Sequence, residues 1–325
     1  MRVHYLQEFL EKKVNKIEIL RLESLSREPL VIEGFLFKGC DPKAPKIAVV
    51  GAMEGEGVLP LYCASNLVNF FKNKIDENKI KGDVFIIPSI NHYALNSGKR
   101  FWPLDNTNIN TMFPGFDEGE TTQRIAKKIF DVLEGYDYGV ILEKRLDPVN
   151  CLPYIKLFKS GYEDLQSARN FGLKVIHHRE MASIDTVTLQ YNWQLWGTKA
   201  FSLMCPNENL VDNNKAKQII QSILRFMYKS EIIDYPIFNG YESNIFDRSL
   251  LEVIKTPKSG IFIPKFKPGN YVSKFDKIGK IVDSLTGEII YDFISPCDGM
   301  ITCNYNRSLI YGNAVAFRIA KIKEE

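Results

Sequence analysis

The sequence contains no run of about eighteen apolar residues, the minimum that crosses a bilayer as a helix. Its opening, Met1 to Lys16, alternates charged and apolar side chains where a secretion signal would place an apolar stretch. The expectation is a cytoplasmic protein with no membrane role. Blocks of a single charge sign are also missing: 42 basic residues face 39 acidic ones, a formal charge of +3, with Lys and Glu interspersed. No basic stripe marks a phosphate backbone as partner, so nucleic acid is not expected. Cysteine is thinly spread. Cys40, Cys63, Cys151, Cys205, Cys297 and Cys303 form no CxxC pair and no zinc-knuckle spacing with histidine, and read as reduced, mostly buried thiols. Histidine is scarcer still, at four residues. Two are adjacent, and on a strand His177 and His178 would face opposite ways and could not easily chelate one ion.

What is present is the material of a large core. At 325 residues, with 45% hydrophobic and 12% aromatic content, the chain divides more comfortably into two domains than one. Strand-like runs cover Ile17 to Leu22 and Leu30 to Phe37, and Lys46 to Gly51 is a short apolar run ending in glycine, the pattern of a buried strand entering a loop. Leu59, Cys63, Leu67, Phe70 and Phe71 then recur at helical spacing before another apolar run, Asp83 to Pro88. A strand–helix–strand unit favours a parallel or mixed sheet with ligands at the carboxyl ends of its strands, which draws attention to the loop after Gly51. Asn91 to Gly115 is long and irregular, as functional loops tend to be. Glu120 to Leu133 reads as an amphipathic helix, Tyr138 to Leu142 as a buried strand ending at Glu143, and Lys215 to Tyr228 as a helix. Pro236 and Gly240 suggest a linker, so residues 1–236 are expected to form the α/β domain and 237–325 the linker and a β module. From about Val253, short apolar stretches alternate with the turns Ser259-Gly260, Pro268-Gly269, Thr286-Gly287 and Asp298-Gly299.

That tail, from GIFIPKFKPGNYV to SPCDGMITCNYN, resembles the lipoyl-like barrel-sandwich that ends many members of the succinylglutamate desuccinylase and aspartoacylase family. Biotinyl and lipoyl carriers place a modifiable lysine at the corresponding hairpin tip, where this chain has Cys297-Asp298-Gly299, so no covalent cofactor is expected. Upstream, VFIIPSINHYALNSGKRFWPLDNTNINTMFPG is similar to the family's strand, Asn-Pro-x-Ala, Arg and Asp-Leu-Asn-Arg-x-Phe-Pro-Gly series: Asn91, Ala94, Arg100, Asn110 and Phe113-Pro114-Gly115 match. The implied fold is α/β and zinc-carboxypeptidase-like, a mixed sheet with helices on both faces followed by a small C-terminal β barrel-sandwich.

The resemblance implies a hydrolase that removes an acyl group from an amino acid, using zinc held by two His and one Glu, a second Glu for proton transfer, and basic side chains with an Asn for the substrate. This sequence departs from that set at several points. Where His-Gly-x-Glu is expected it reads Met53-Glu54-Gly55-Glu56-Gly57. One register puts Glu54 in the His place and Gly57 in the Glu place; the other keeps Glu56 as acid but puts Met53 at the His. Glu143 stands for the later His, Met204 for the proton-transferring Glu, and Thr111 for the Arg after Asn110. A thioether cannot act as a general base. Arg100 and Asn110 remain as substrate-binding candidates. No catalytic or metal residue is assigned, and the expectation is a non-zinc pseudoenzyme that binds a small carboxylate-bearing ligand or a protein partner in the old cleft, oligomer formation being open. The alternative is an active amide hydrolase whose Glu54, Glu56 and Glu143 hold zinc or another divalent cation, oxygen donors suiting hard ions. His92, Cys205, Trp193 and Trp196 have simpler structural readings than as ligand, nucleophile or pocket wall.

Overall fold

A computed structural model describes residues 14–24, 28–144, 148–206 and 210–321; most of the Met1 to Lys16 opening lies outside them. The first strands are β1 (Val14–Leu22), β2 (Leu30–Phe37), β3 (Ile47–Ala52), β4 (Val84–Ser89), β5 (Tyr138–Lys144), β6 (Val149–Cys151), β7 (Tyr154–Phe158), β8 (Val175–Arg179), β9 (Lys199–Cys205) and β10 (Asn244–Phe246). All but β6 join one sheet in the order β1-β2-β4-β3-β5-β9-β7-β8-β10. Its middle, β4-β3-β5-β9, is parallel, whereas β1 and β2 pair antiparallel with each other and β2 with β4, and β7 runs antiparallel to β9.

Both faces of this sheet are covered, and β3 shows why its sequence is apolar throughout. Ile47 and Val49 enter one core, packed by helices α1 (Val58–Asn73) and, later in the chain, Asn213–Lys229, while Ala48 and Val50 enter a second core beneath Thr121–Leu133. A strand buried on both faces cannot alternate with polar residues. In chain order the helices after α1 are α2 (His92–Asn96), α3 (Thr121–Leu133), α4 (Leu165–Ala168), α5 (Leu189–Leu195) and α6 (Asn213–Lys229). Helix α3 begins with a reciprocal cap in which Glu120 N donates to Gln123 Oε1 at 3.0 Å. Asn91 caps α2, its Oδ1 accepting from Ala94 N.

The tail holds β11 (Leu251–Lys255), β12 (Gly260–Pro264), β13 (Tyr271–Val272), β14 (Lys277–Val282), β15 (Ile289–Ile294), β16 (Gly299–Tyr305), β17 (Leu309–Ile310) and β18 (Val315–Lys321). They form two packed sheets, β11-β18-β16-β13 and β15-β14-β12-β17, around Phe262, Phe293 and Phe317. The mixed α/β sheet with additional antiparallel sheets is the expected architecture.

Two strands cross the sequence position where the division was expected. β10 lies beyond residue 236 yet pairs parallel with β8 in the large sheet, and β6, between β5 and β7, pairs antiparallel with β16 of the tail. At that second crossing the expectation of six reduced thiols fails. Cys151 and Cys303 face each other in register and form a disulfide that spans 152 residues of sequence. The sequence places the two cysteines far apart, and only the pairing of β6 with β16 reveals them as neighbours. Cys40, Cys63, Cys205 and Cys297 are free.

Candidate functional site

A cavity of about 760 Å³ opens where β3, β5 and β9 end, with the β11-β18-β16-β13 sheet of the tail as its far wall. Its size is that of a site for a small molecule. The parallel strands bring Glu54, Glu143 and Met204 to this edge, and Leu251, Val253, Thr302 and Arg318 supply the opposite side.

Chain geometry after β3 is set by close packing. Gly55 N donates to Arg100 O at 2.8 Å, and a Cβ at Gly55 would lie 2.1 Å from the Lys99 carbonyl oxygen, so only glycine fits. This contact brings the loop to Arg100. The Arg100 guanidinium donates to Glu54 twice, Nε to Oε2 at 3.0 Å and Nη2 to Oε1 at 3.3 Å, and lies over the Phe101 ring. Burial pushes the Glu54 carboxyl above its usual range; Arg100 opposes this, while the nearby charges of Glu143 and Glu56 add to it. Gly57 caps α1, and a Cβ there would sit 2.9 Å from the Glu54 carbonyl oxygen, so a longer side chain fits only if the loop shifts.

Glu143 is closed off in a similar way. Lys156 Nζ donates to Oε2 at 2.7 Å, and Ser202 donates to Oε1 at 2.6 Å with Gln190 Oε1 2.8 Å from the same hydroxyl. Gln190 in turn donates to the Lys156 carbonyl. Glu56 is half-exposed and meets Lys144 at 3.6 Å. Asn110 lines the cavity, its Oδ1 accepting from Leu189 N, which leaves Nδ2 as the atom for a ligand. Met204 is buried beside Tyr154.

Arg100, Asn110, Glu54 and Glu143 therefore gather at one site, as do Gly57 and Met53. The other candidates separate. His178 pairs with Glu163 at 3.0 Å, whereas His177, facing the other way, lines the cavity. His92 stands outside the cavity lining, with burial holding its pKa below the usual value. Cys205 is fully buried, and burial pushes its thiol well above the ordinary range, the opposite of what a nucleophile needs. Trp193 is core, its Nε1 donating to Leu133 O, and Trp196 packs edge-on against Phe130 at the surface.

Sequence reading missed Lys156, Arg179 and Arg318 as cavity residues. The signal for the first two was alternation: in Tyr154–Phe158 and Val175–Arg179, side chains at spacing two share a face. Nothing local marks Arg318, which reaches the cavity from the last strand. Arg179 is itself anchored by a two-point contact with Asp185 at 2.7 and 2.8 Å.

The zinc that the resemblance implies finds a poor donor set here. Neither Glu54 nor Glu143 is a neutral imidazole, each carboxylate is held by a cation of the chain, and the loop at Gly57 leaves no room for an acid without moving. Among the described residues, no three of His, Cys, Asp and Glu converge on a point where an ion could sit.

Residues 43–141 match the family model of the succinylglutamate desuccinylase/aspartoacylase catalytic domain. The chain is 29% identical over 99 residues to N-alpha-acetyl-L-2,4-diaminobutyric acid deacetylase of Halomonas elongata, an alignment covering 28% of this chain and 29% of that protein. The matched part thus spans less than a third of the relative. Solved structures resemble the whole chain. A succinylglutamate desuccinylase/aspartoacylase from Rhodobacter sphaeroides aligns with a TM-score of 0.74 at 16% identity, covering 97% of this chain and 98% of that one. An aspartoacylase family protein from Mesorhizobium loti gives 0.72 at 19% identity, with 97% of each chain covered. The product-bound ectoine utilization protein EutE (DoeB) from Ruegeria pomeroyi gives 0.73 at 16%, covering 96% and 97%. Residues 43–141 belong to the succinylglutamate desuccinylase/aspartoacylase catalytic-domain family, and the chain around them has the fold of these proteins.

Proposed function

We propose that this protein binds a carboxylate-bearing ligand in the cleft that its deacylase-like relatives use for hydrolysis, and that it does not run a zinc-dependent reaction. One observation carries the reading: the acids at the two expected histidine positions are each closed by a cation of the same chain, Arg100 on Glu54 and Lys156 on Glu143. Imidazoles would leave a bound zinc with net positive charge to acidify water, whereas carboxylates cancel that charge. The Gly55 contact supports the register that sets Glu54 at the first histidine and Gly57 at the acid. Met204, at the proton-transfer position, has no basic atom.

What remains favours an anion. Asn110 keeps a free amide, and Lys144, Lys156, Arg179, Arg248 and Arg318 line the cavity beside the acids Glu54, Glu143 and Glu180. A cytoplasmic setting belongs to this reading and rests on the sequence. No helix among the described residues is long and apolar enough to cross a membrane.

The test combines elemental analysis of the purified protein, turnover of a panel of N-acyl amino acids, and calorimetric titration with the same acids. Expected are less than stoichiometric zinc, no chelator-sensitive hydrolysis and saturable binding of an acid. One tightly held zinc per chain with chelator-sensitive hydrolysis overturns the proposal in favour of an active amide hydrolase.

A further inference from the structure

The floor of the cavity changes character along the strands. On β7, Tyr154 and Lys156 face the cavity; on β8, Val175, His177 and Arg179 do so, while Ile155 and Ile176 between them face the core on the other side of the sheet. The register pairs Lys156 with His177 and Phe158 with Arg179. Reading both strands in the same direction therefore gives an apolar end at Tyr154 and Val175, then Lys156 beside His177, then Arg179. The apolar end continues into a cluster that the large sheet shares with the tail. Tyr154, Val175, Met204 and Phe246 pack there with Leu251, and all five also line the cavity. Across from them Val253 presents a further apolar surface, 45% exposed.

A site for a small polar dianion needs cations and donors on every side. This one also presents the apolar run Tyr154, Val175, Met204, Phe246, Leu251 and Val253, even though Arg248 lines the cavity and Arg318 pairs with Val253, and it is large for such a ligand. Accepting the carboxylate reading above, we propose that the ligand is an amphiphilic acid. Its carboxylate lies at the Lys156, Arg179 and Asn110 end, and its aliphatic or aromatic body runs along β7 and β8 to the wall formed by Phe246, Leu251 and Val253. In this arrangement strand β11 of the tail, together with Phe246 of β10, forms the binding surface for the apolar half of the ligand.

The probes are N-acyl glutamates of increasing chain length, from acetyl to octanoyl, titrated into the full chain alongside their dimethyl esters. Each added methylene that reaches the apolar end should tighten Kd about fourfold, the value of burying one such group. Val253→Thr, nearly isosteric and uncharged, should flatten this dependence, weakening the octanoyl compound more than the acetyl one. Lys156→Met should weaken the whole series by a similar factor. If the acids bind and the esters do not, but Kd is independent of chain length, the amphiphile proposal falls and the carboxylate reading stands. If esters bind as tightly as acids, with the same length dependence, the carboxylate head group is wrong and both readings fall. Absence of binding by every acid also overturns both.

Discussion

Arg100 grips Glu54 through two hydrogen bonds, one to each carboxylate oxygen, while its guanidinium rests on the Phe101 ring. The pair is partly buried, so breaking it from the arginine side leaves a desolvated carboxylate with no partner. Arg100→Met should destabilise the protein by about 1–3 kcal/mol at neutral pH, less than for a fully buried pair because solvent still reaches both groups. Adding Glu54→Gln should return part of the loss. Urea denaturation of the two single variants and the double variant gives the coupling directly. Purely additive effects would mean that the contact contributes nothing.

The same carboxyl makes stability depend on pH in a direction unusual for an ion-paired acid. Burial raises the Glu54 pKa above the ordinary value of a glutamate carboxyl. Between the unfolded value and this higher folded value the native state holds more protons than the unfolded chain, so stability falls as pH rises through the window. Below it the contribution is constant. The stability difference between wild type and Glu54→Gln should therefore shift in favour of the variant as pH rises from about 4. Chemical denaturation across that range measures it; a difference that is flat, or that moves the other way, contradicts burial as the dominant influence.

Glu143 depends on Lys156 and Ser202 unequally. Lys156 supplies the compensating charge, and Ser202, fully buried, supplies one neutral donor. Lys156→Met should cost about 2 kcal/mol or more, and Ser202→Ala about 1 kcal/mol. The double change Lys156→Met with Glu143→Leu should recover most of the first loss, since removing both charges removes the desolvation penalty. Equal costs for Lys156→Met and Ser202→Ala would show that charge compensation is not the main role of the lysine.

The Cys151–Cys303 disulfide closes a long loop. In chain-entropy terms such a cross-link contributes about 2–4 kcal/mol by restricting the unfolded ensemble. Reductant should lower the denaturation midpoint accordingly, and Cys151→Ala should abolish the effect of reductant. Alkylation of the unreduced, unfolded protein followed by intact-mass measurement should label four cysteines; six labels would restore the expectation of reduced thiols, which is also the normal state in cytosol.

Much of the large sheet was legible because its signals are local. The apolar positions Leu59, Cys63, Leu67, Phe70 and Phe71 are all buried on α1, and Glu143 and Met204 lie at strand ends where ligands meet parallel sheets. His177 and His178 separate as alternation requires, one to the cavity and one to Glu163. The rest of the site depends on pairing between distant segments. Nothing in Val-Asn-Cys at 149–151 says that these residues leave the sheet of their neighbours, and the disulfide follows only from that departure. Arg318 likewise carries no sign of its cavity until β18 is seated beside β16. Arg100 is legible in the sequence as a substrate-binding candidate, but its hold on Glu54 comes from the fold, and Lys156 required knowing that β7 and β9 are antiparallel neighbours.

The excursion of β6 also orders events during synthesis. Its partner strand, β16, is translated about 150 residues later, at an elongation rate of roughly 5–20 residues per second. For roughly 8–30 s the cavity lacks its far wall, and the edge of β6 has no ladder to join. The nascent large sheet can bury its first helices in that interval, but its cavity is still open on the tail side. Under the proposed function, the binding cleft is complete only once β16 arrives to pair with a segment made long before it.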